Sequence, residues 1–253
     1  LEGYPLSRRK NRALAQVIDN TVNFSAYLEQ QQRLNYQRRS VQLSPKTANQ
    51  KHYVDLLLDE AVKIVFASGP AGTGKTMLAV QAGVKAFKEK LVSKLIFTRP
   101  AVGVDDEQHG FLPGTINQKM EPWTRPILDV IGEYYSANDV ARMLDDQIIE
   151  LSPLAMIRGR TFKNAWMIFD EAQNSSVSQM MAVLTRLGDG TKMVITGDLN
   201  QRDKKFATDN GFEDFLARLG KNKSNLIQTV NFLGKDVQRS DAVREVLKLY
   251  NQD

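Results

Sequence analysis

Cysteine is missing from all 253 residues, which excludes disulfides, thiolate nucleophiles and zinc–sulfur centres. Histidine is almost missing too. His52 and His109 are the only two, too few for a His-based metal cluster. Any metal is therefore expected to be Mg²⁺ held by oxygen ligands and phosphate. No apolar run approaches the ~18–20 residues of a membrane span, and no signal-peptide core opens the chain. The expectation is a cytoplasmic protein with no membrane partner. Nor does charge of one sign dominate: 34 basic residues against 29 acidic give +5, which permits a nucleic-acid partner without identifying one.

What is present suits a packed globular fold, with 42% hydrophobic and 25% charged residues and room for one large domain plus an appendage. Residues 1–45 form a basic, polar, partly helical extension with Arg8, Arg9, Lys10, Arg12, Arg33, Arg38 and Arg39 against few acids. It reads either as a solvated segment or as an arm on nucleic acid or a neighbouring subunit. Pro45 supplies a break, and residues 46–253 read as one domain.

In that domain strands and helices alternate. The segments 63–69, 94–98, 148–151, 166–170, 193–196 and 226–232 are short apolar runs, suited to strands buried on both faces. Helices are expected at about 75–89 and 242–250. Another is marked by Met180, Val183, Leu184 and Leu187, with a Ser176/Gln179 capping box and Gly188 as its stop. The rhythm predicts an α/β fold, a mainly parallel central sheet wrapped by helices on both faces. Residues 101–126 interrupt it, holding Gly103, Gly110, Pro113, Gly114, Pro122 and Pro126. So many breakers argue against one long helix there.

The chemistry concentrates at Gly69-Pro70-Ala71-Gly72-Thr73-Gly74-Lys75-Thr76, a complete phosphate-loop pattern between a predicted strand and a helix. Glycines let backbone N–H groups close around phosphate oxygens, and the helix N-terminus adds its positive end. Lys75 is expected on the β and γ phosphates of ATP, with the Thr76 hydroxyl on Mg²⁺. Asp170 ends a strand where a second Mg²⁺ contact belongs, reached directly or through water. Glu171 beside it suits a general base aimed at water, which favours hydrolysis over transfer to a metabolite. Gln201, in the turn after 193–196, is a candidate contact to the γ-phosphate or the water; a simple turn is the plainer reading. Gln50 is either a helix cap or a reader of adenine, whose N6 and N7 edges suit an amide.

The set GPAGTGKT, DEAQN, TGDLNQ and the upstream Asn49-Gln50 resembles the PhoH-like family, whose core is similar to one RecA-like domain of superfamily 1 helicases. Gly110 to Gly114 (GFLPG) with Lys119-Met120, and residues 153–161 (PLAMIRGRT), extend the resemblance over about 46–250 in the family's order. Before GFLPG the family has a Gly-Glu pair, where this sequence has Asp105-Asp106-Glu107-Gln108-His109. The resemblance implies a RecA-like three-layer sandwich and ATP hydrolysis coupled to RNA or single-stranded DNA. It also implies Gln50 on adenine, with Gln173 and Gln201 sensing the γ-phosphate.

Superfamily 1 helicases complete their site with arginines from a second domain. The resemblance therefore implies a homo-oligomeric ring, such as a hexamer, in which a neighbour supplies an arginine finger. Arg158 and Arg239 are the leading candidates, with Arg160 and Arg99 behind them. Phe111, Lys119, Trp123 and Arg125 combine aromatics with cations, as a single-strand channel needs, although the aromatics could equally pin the segment to the domain. The alternative is an ATP-driven assembly switch acting on a protein partner without nucleic acid.

Overall fold

The computed structural model describes residues 40–100 and 116–239, with Ala242, Glu245 and Leu249 beyond them. Six strands make one sheet: β1 Ile64–Ser68, β2 Lys94–Arg99, β3 Ile149–Pro153, β4 Ala165–Phe169, β5 Lys192–Gly197 and β6 Ile227–Asn231. Their order is β3-β2-β4-β5-β1-β6 and every pairing is parallel. Strand β5 thus lies between β1, which feeds the phosphate loop, and β4, which ends at Asp170. This is a RecA-like arrangement. It brings the carboxyl ends of β1, β4 and β5 to one edge of the sheet.

Side-chain alternation builds the three layers. Val65 and Ala67, Leu95 and Phe97, Trp166 and Ile168, and Val194 face one side. They meet α1 (Ala48–Leu58), α2 (Lys75–Lys88), α3 (Ile116–Gly132) and α4 (Ala137–Asp145). Phe66, Ile96, Met167, Phe169 and Ile195 face the other side, against α5 (Val177–Leu184) and α6 (Gly211–Lys221). Each such side chain, fully buried, contributes ~1.5–3 kcal/mol over its exposed state. Because both faces are covered, the central strands have no polar side, and so they read as continuous apolar runs.

Three expectations change. Residues 116–132 form a single helix despite Pro122 and Pro126. Its buried stripe, Thr124, Ile127 and Ile131, packs on the core, and Pro126 is exposed. Pro126 cannot donate a helical hydrogen bond, and burial of the stripe outweighs that loss. Helix α5 ends at Leu184 with Thr185 as its cap, so Leu187 and Gly188 lie outside it. Gly188 serves close approach instead: its N–H donates to the Phe162 carbonyl at 2.8 Å, and a Cβ there would sit 2.4 Å from that oxygen. Finally, Val41 is buried in the core and Leu43 packs against it, so the domain begins before residue 46. No described helix is long and apolar enough to cross a membrane.

Candidate active site

The phosphate loop follows β1 and opens α2, and two of its glycines are required by geometry. Gly69 has φ +138° and a Cβ there would lie 2.3 Å from the Phe232 carbonyl oxygen. Gly74, at φ 80°, is the left-handed residue from which α2 starts. Lys75 is buried and turned back into the loop, donating to the carbonyls of Gly69 (2.6 Å) and Pro70 (2.7 Å). Its ammonium also lies 3.3 Å from the Thr73 hydroxyl, so it is held within the loop. Burial lowers its pKa, and the carboxylates of Asp198, Asp170 and Glu171 oppose that shift.

Alternation along β4 puts Asp170 on the face of Ile168, the side that carries α2. There its Oδ1 accepts from Thr76 Oγ1 at 2.9 Å and from Thr196 Oγ1. Two hydroxyls on one carboxylate oxygen make a compact oxygen cluster beside the loop. The donor set fits Mg²⁺, which takes one or two protein oxygens and leaves its other positions to water and phosphate. The cavity they border measures about 270 Å³ and is lined by Gly72, Gly74, Lys75, Thr76, Met77, Asp170, Glu171, Asp198 and Gln201 among others.

Glu171 stands at the cavity wall in the left-handed region, φ 53° and ψ 39°, a conformation that a non-glycine residue keeps only when its surroundings enforce it. Gln173, completely buried, holds the Glu171 carboxylate. Its Nε2 donates to Glu171 Oε2 at 2.5 Å, its Oε1 accepts from Asp198 N at 3.1 Å, and its carbonyl accepts from Asn210 Nδ2 at 2.7 Å. Gln173 therefore positions Glu171 from behind and does not face the cavity. Gln201 is exposed on the rim, in the short helical turn Leu199–Gln201.

Gln50 lies under the loop with only 3% of its surface exposed. Its Nε2 donates to the Thr73 carbonyl at 3.0 Å and its Oε1 accepts from Lys46 N at 2.6 Å, so both ends of the amide brace the chain. Any contact to a base is left to the second N–H and the second lone pair. The neighbouring Tyr53 hydroxyl donates to the Lys75 carbonyl at 3.3 Å, which ties α1 to the first turn of α2.

The four arginine candidates separate. Arg239 lies on its own chain's phosphate loop: Gln238 N donates to the Gly72 carbonyl at 2.9 Å, and a Cβ on Gly72 would sit 3.4 Å from Arg239 Nε. Arg160 forms a two-pronged pair with Glu150 and covers the Phe162 ring. Arg99, at the tip of β2, approaches Glu171 at 3.7 Å. Arg158 is exposed at the end of the turn Leu154–Ile157. Of the strand-binding candidates, Phe111 and the side chains of Lys119 and Trp123 lie outside the described residues; Arg125 is exposed on α3.

Several site residues escaped the sequence reading. Thr196 was detectable, since alternation from Val194 puts it on the Asp170 face. Asp198 was visible in the turn after β5, but only the sheet order brings it to Lys75. Met77, exposed at the cavity mouth, and Asp236, buried and accepting from Asn49 Nδ2 at 2.7 Å, carried no local signal.

The model for a family described as PhoH-like protein matches residues 42–251. The chain belongs to the PhoH-like family. Membership makes the loop, cluster and cavity above those of a P-loop NTPase. A PhoH-like protein of Mycobacterium tuberculosis is 46% identical over 166 residues, covering 66% of this chain and 46% of that one. One from Bacillus subtilis is 38% identical over 229 residues, covering 90% and 70%. Protein PhoH of Escherichia coli is 33% identical over 249 residues, covering 96% and 69%. The chain thus spans about half the length of the mycobacterial relatives. Among solved structures, the UvsW helicase from bacteriophage T4 is a distant likeness, with a TM-score of 0.46 and 12% identity over 76% of this chain and 61% of that one.

Proposed function

We propose that this PhoH-like chain hydrolyses ATP with Mg²⁺, works in a head-to-tail ring, and couples hydrolysis to RNA or single-stranded DNA. The carrying observation is the pairing of a metal-ready cluster, Thr76 with Asp170, and a held carboxylate, Glu171, across one cavity from Lys75. Lys75 would exchange the carbonyls of Gly69 and Pro70 for phosphate oxygens. Thr76 and Asp170 would hold Mg²⁺, which when bound offsets the negative charge of the phosphates. Glu171 would accept a proton from the attacking water, with Gln173 fixing its carboxylate. Gln201, on the rim, is placed to meet the outermost phosphate.

The ring reading rests on the arginines. Arg239 and Arg99 reach their own chain's site and Arg160 is paired, which leaves Arg158 as the candidate that a neighbour would extend. The net charge of +5 permits a strand partner, and Arg125, exposed on α3, is one of the cations expected to hold it. Phosphate release by the wild type, Lys75→Ala, Glu171→Gln and Arg158→Ala chains, with and without single-stranded RNA or DNA, tests the whole. Loss with Lys75→Ala, and loss with retained ATP binding in Glu171→Gln, are expected. Wild-type turnover in Glu171→Gln overturns the hydrolytic assignment. No response to either polymer favours the protein-directed switch. Light scattering with and without nucleotide checks the ring, and full activity in Arg158→Ala removes it as the finger.

A further inference from the structure

The chain leaves β6 and runs beside the phosphate loop, tied to it at both ends. Phe232 N donates to the Ser68 carbonyl at 2.7 Å, and Gln238 N donates to the Gly72 carbonyl at 2.9 Å. Between them the buried Asp236 accepts from Leu233 N at 2.9 Å and from Asn49 Nδ2 at 2.7 Å, which pins the turn to the start of α1. This clamp fixes where the next residues lie. Arg239 is laid against the loop: a Cβ on Gly72 would meet its Nε at 3.4 Å and its Cγ at 3.9 Å. Gly72 itself borders the phosphate cavity.

Arg160, Arg202 and Arg218 each pair with a carboxylate. Arg239 is half-buried, yet among the described residues it has neither a hydrogen bond nor an ion pair. A cation partly withdrawn from water without a counter-charge suits an anion brought by a ligand, and the planar guanidinium fork matches phosphate oxygens. The sheet order indicates which phosphates. Strand β1 lies between β5 and β6, and Asp170, Glu171 and Gln201 follow β4 and β5 on one side of it. Arg239 follows β6 on the other side, together with the start of α1, where Gln50 braces the Thr73 carbonyl. It therefore approaches from the flank opposite the residues assigned to Mg²⁺ and the terminal phosphate. Along the loop itself, backbone N–H groups cradle the α and β phosphates.

We propose that Arg239 is a phosphate-binding residue of its own chain's site, pairing with the α and β phosphates of a bound nucleoside di- or triphosphate. This rests on the nucleotide-binding part of the reading above and deepens it. It makes Arg239 a contact within one chain, not a finger lent by a neighbour. Asp236 is its positioning residue, since the clamp to Asn49 sets the path of the segment that carries the guanidinium.

The test is equilibrium binding of ADP and of a non-hydrolysable ATP analogue, each with Mg²⁺, to wild type, Arg239→Ala and Arg239→Lys. Melting temperature is measured on the same chains with and without ADP. Arg239→Ala should weaken both nucleotides by the same factor, about 10–100-fold, as expected for a lost charge-assisted contact. Arg239→Lys keeps the charge without the fork and should fall between. Without ADP the three chains should melt together, because the side chain has no protein partner to lose, while the rise produced by ADP shrinks in Arg239→Ala. An equal drop with and without ADP makes the residue structural and overturns the contact, as does unchanged ADP affinity. A loss confined to the ATP analogue puts the guanidinium on the γ-phosphate and overturns the diphosphate assignment. The loss should be the same in dilute and in concentrated protein. A loss seen only where the chain self-associates overturns the assignment in favour of a neighbour's site. A wild type that binds neither nucleotide overturns the underlying reading and the proposal with it. Binding is read without turnover, so a wild type that binds ADP but releases no phosphate overturns the hydrolytic reading alone.

Discussion

Gln173→Ala should separate nucleotide binding from hydrolysis. The side chain is completely buried and makes two contacts at once, to Glu171 Oε2 at 2.5 Å and to Asp198 N at 3.1 Å. Truncation leaves the Asp198 N–H without its acceptor, a loss of ~1–3 kcal/mol in stability. It also frees the Glu171 carboxylate from a charge-assisted bond worth ~1.5–3 kcal/mol. If that bond acts mainly by aiming the base in the transition state, turnover falls by roughly 10–100-fold. Lys75, Thr76 and Asp170 are untouched, so ADP affinity should stay within about twofold of wild type. Gln173→Glu sharpens the test. It keeps the acceptor for Asp198 N but puts an oxygen where Nε2 stood, against a carboxylate that needs a donor. Its rate should be as low as that of Gln173→Ala. The assay is phosphate release beside fluorescence titration of a nucleotide analogue. A Gln173→Ala chain that melts normally and hydrolyses within twofold of wild type refutes the positioning role.

Gly83→Ala would bring a Cβ to 2.6 Å from Cδ1 of the buried Trp166; the helix-propensity gain of ~1 kcal/mol falls short of an overpacking cost of ~1–3 kcal/mol, so melting should drop by a few degrees. Lys192 donates to the carbonyls of Leu56 and Asp59 at 2.7 Å, and burial lowers its pKa to about 8, with Asp59 opposing. The unfolded chain therefore binds more protons between about pH 8 and the ordinary 10.5, so this residue makes stability rise with pH across that window. Lys192→Met should flatten the rise in urea midpoint measured from pH 8 to 10. Arg160→Ala removes the guanidinium whose hydrogen bond holds the Glu150 carboxyl below its usual range. That contribution is present at neutral pH and lost in acid, so the variant should differ from wild type in denaturant midpoint at pH 7 and converge with it as Glu150 protonates.

Much of the site was legible locally because its parts are local. A phosphate loop is one continuous turn from strand to helix, so its glycines, Lys75 and Thr76 appear in order in the sequence. Asp170 and Glu171 were readable for the same reason, as the polar end of an apolar strand. Helix α3 was not, because Pro122 and Pro126 are strong local breakers and only the buried faces of Ile127 and Ile131 override them. Gly188 resembled a helix stop for a similar reason; the contact it serves, with Phe162, lies across the fold.

The sequence alone determined the alternation of buried strands with helices, the phosphate loop and the acids at the end of β4, since each depends on neighbours within a few residues. The tertiary structure decided which separate turns meet. Inserting β5 between β1 and β4 brought Thr196 and Asp198 to the site, pairing β2 with β4 put Arg99 on Glu171, and the turn after β6 laid Arg239 on its own loop. Such contacts join residues far apart in the chain, and parallel strand order, which no local pattern encodes, sets them.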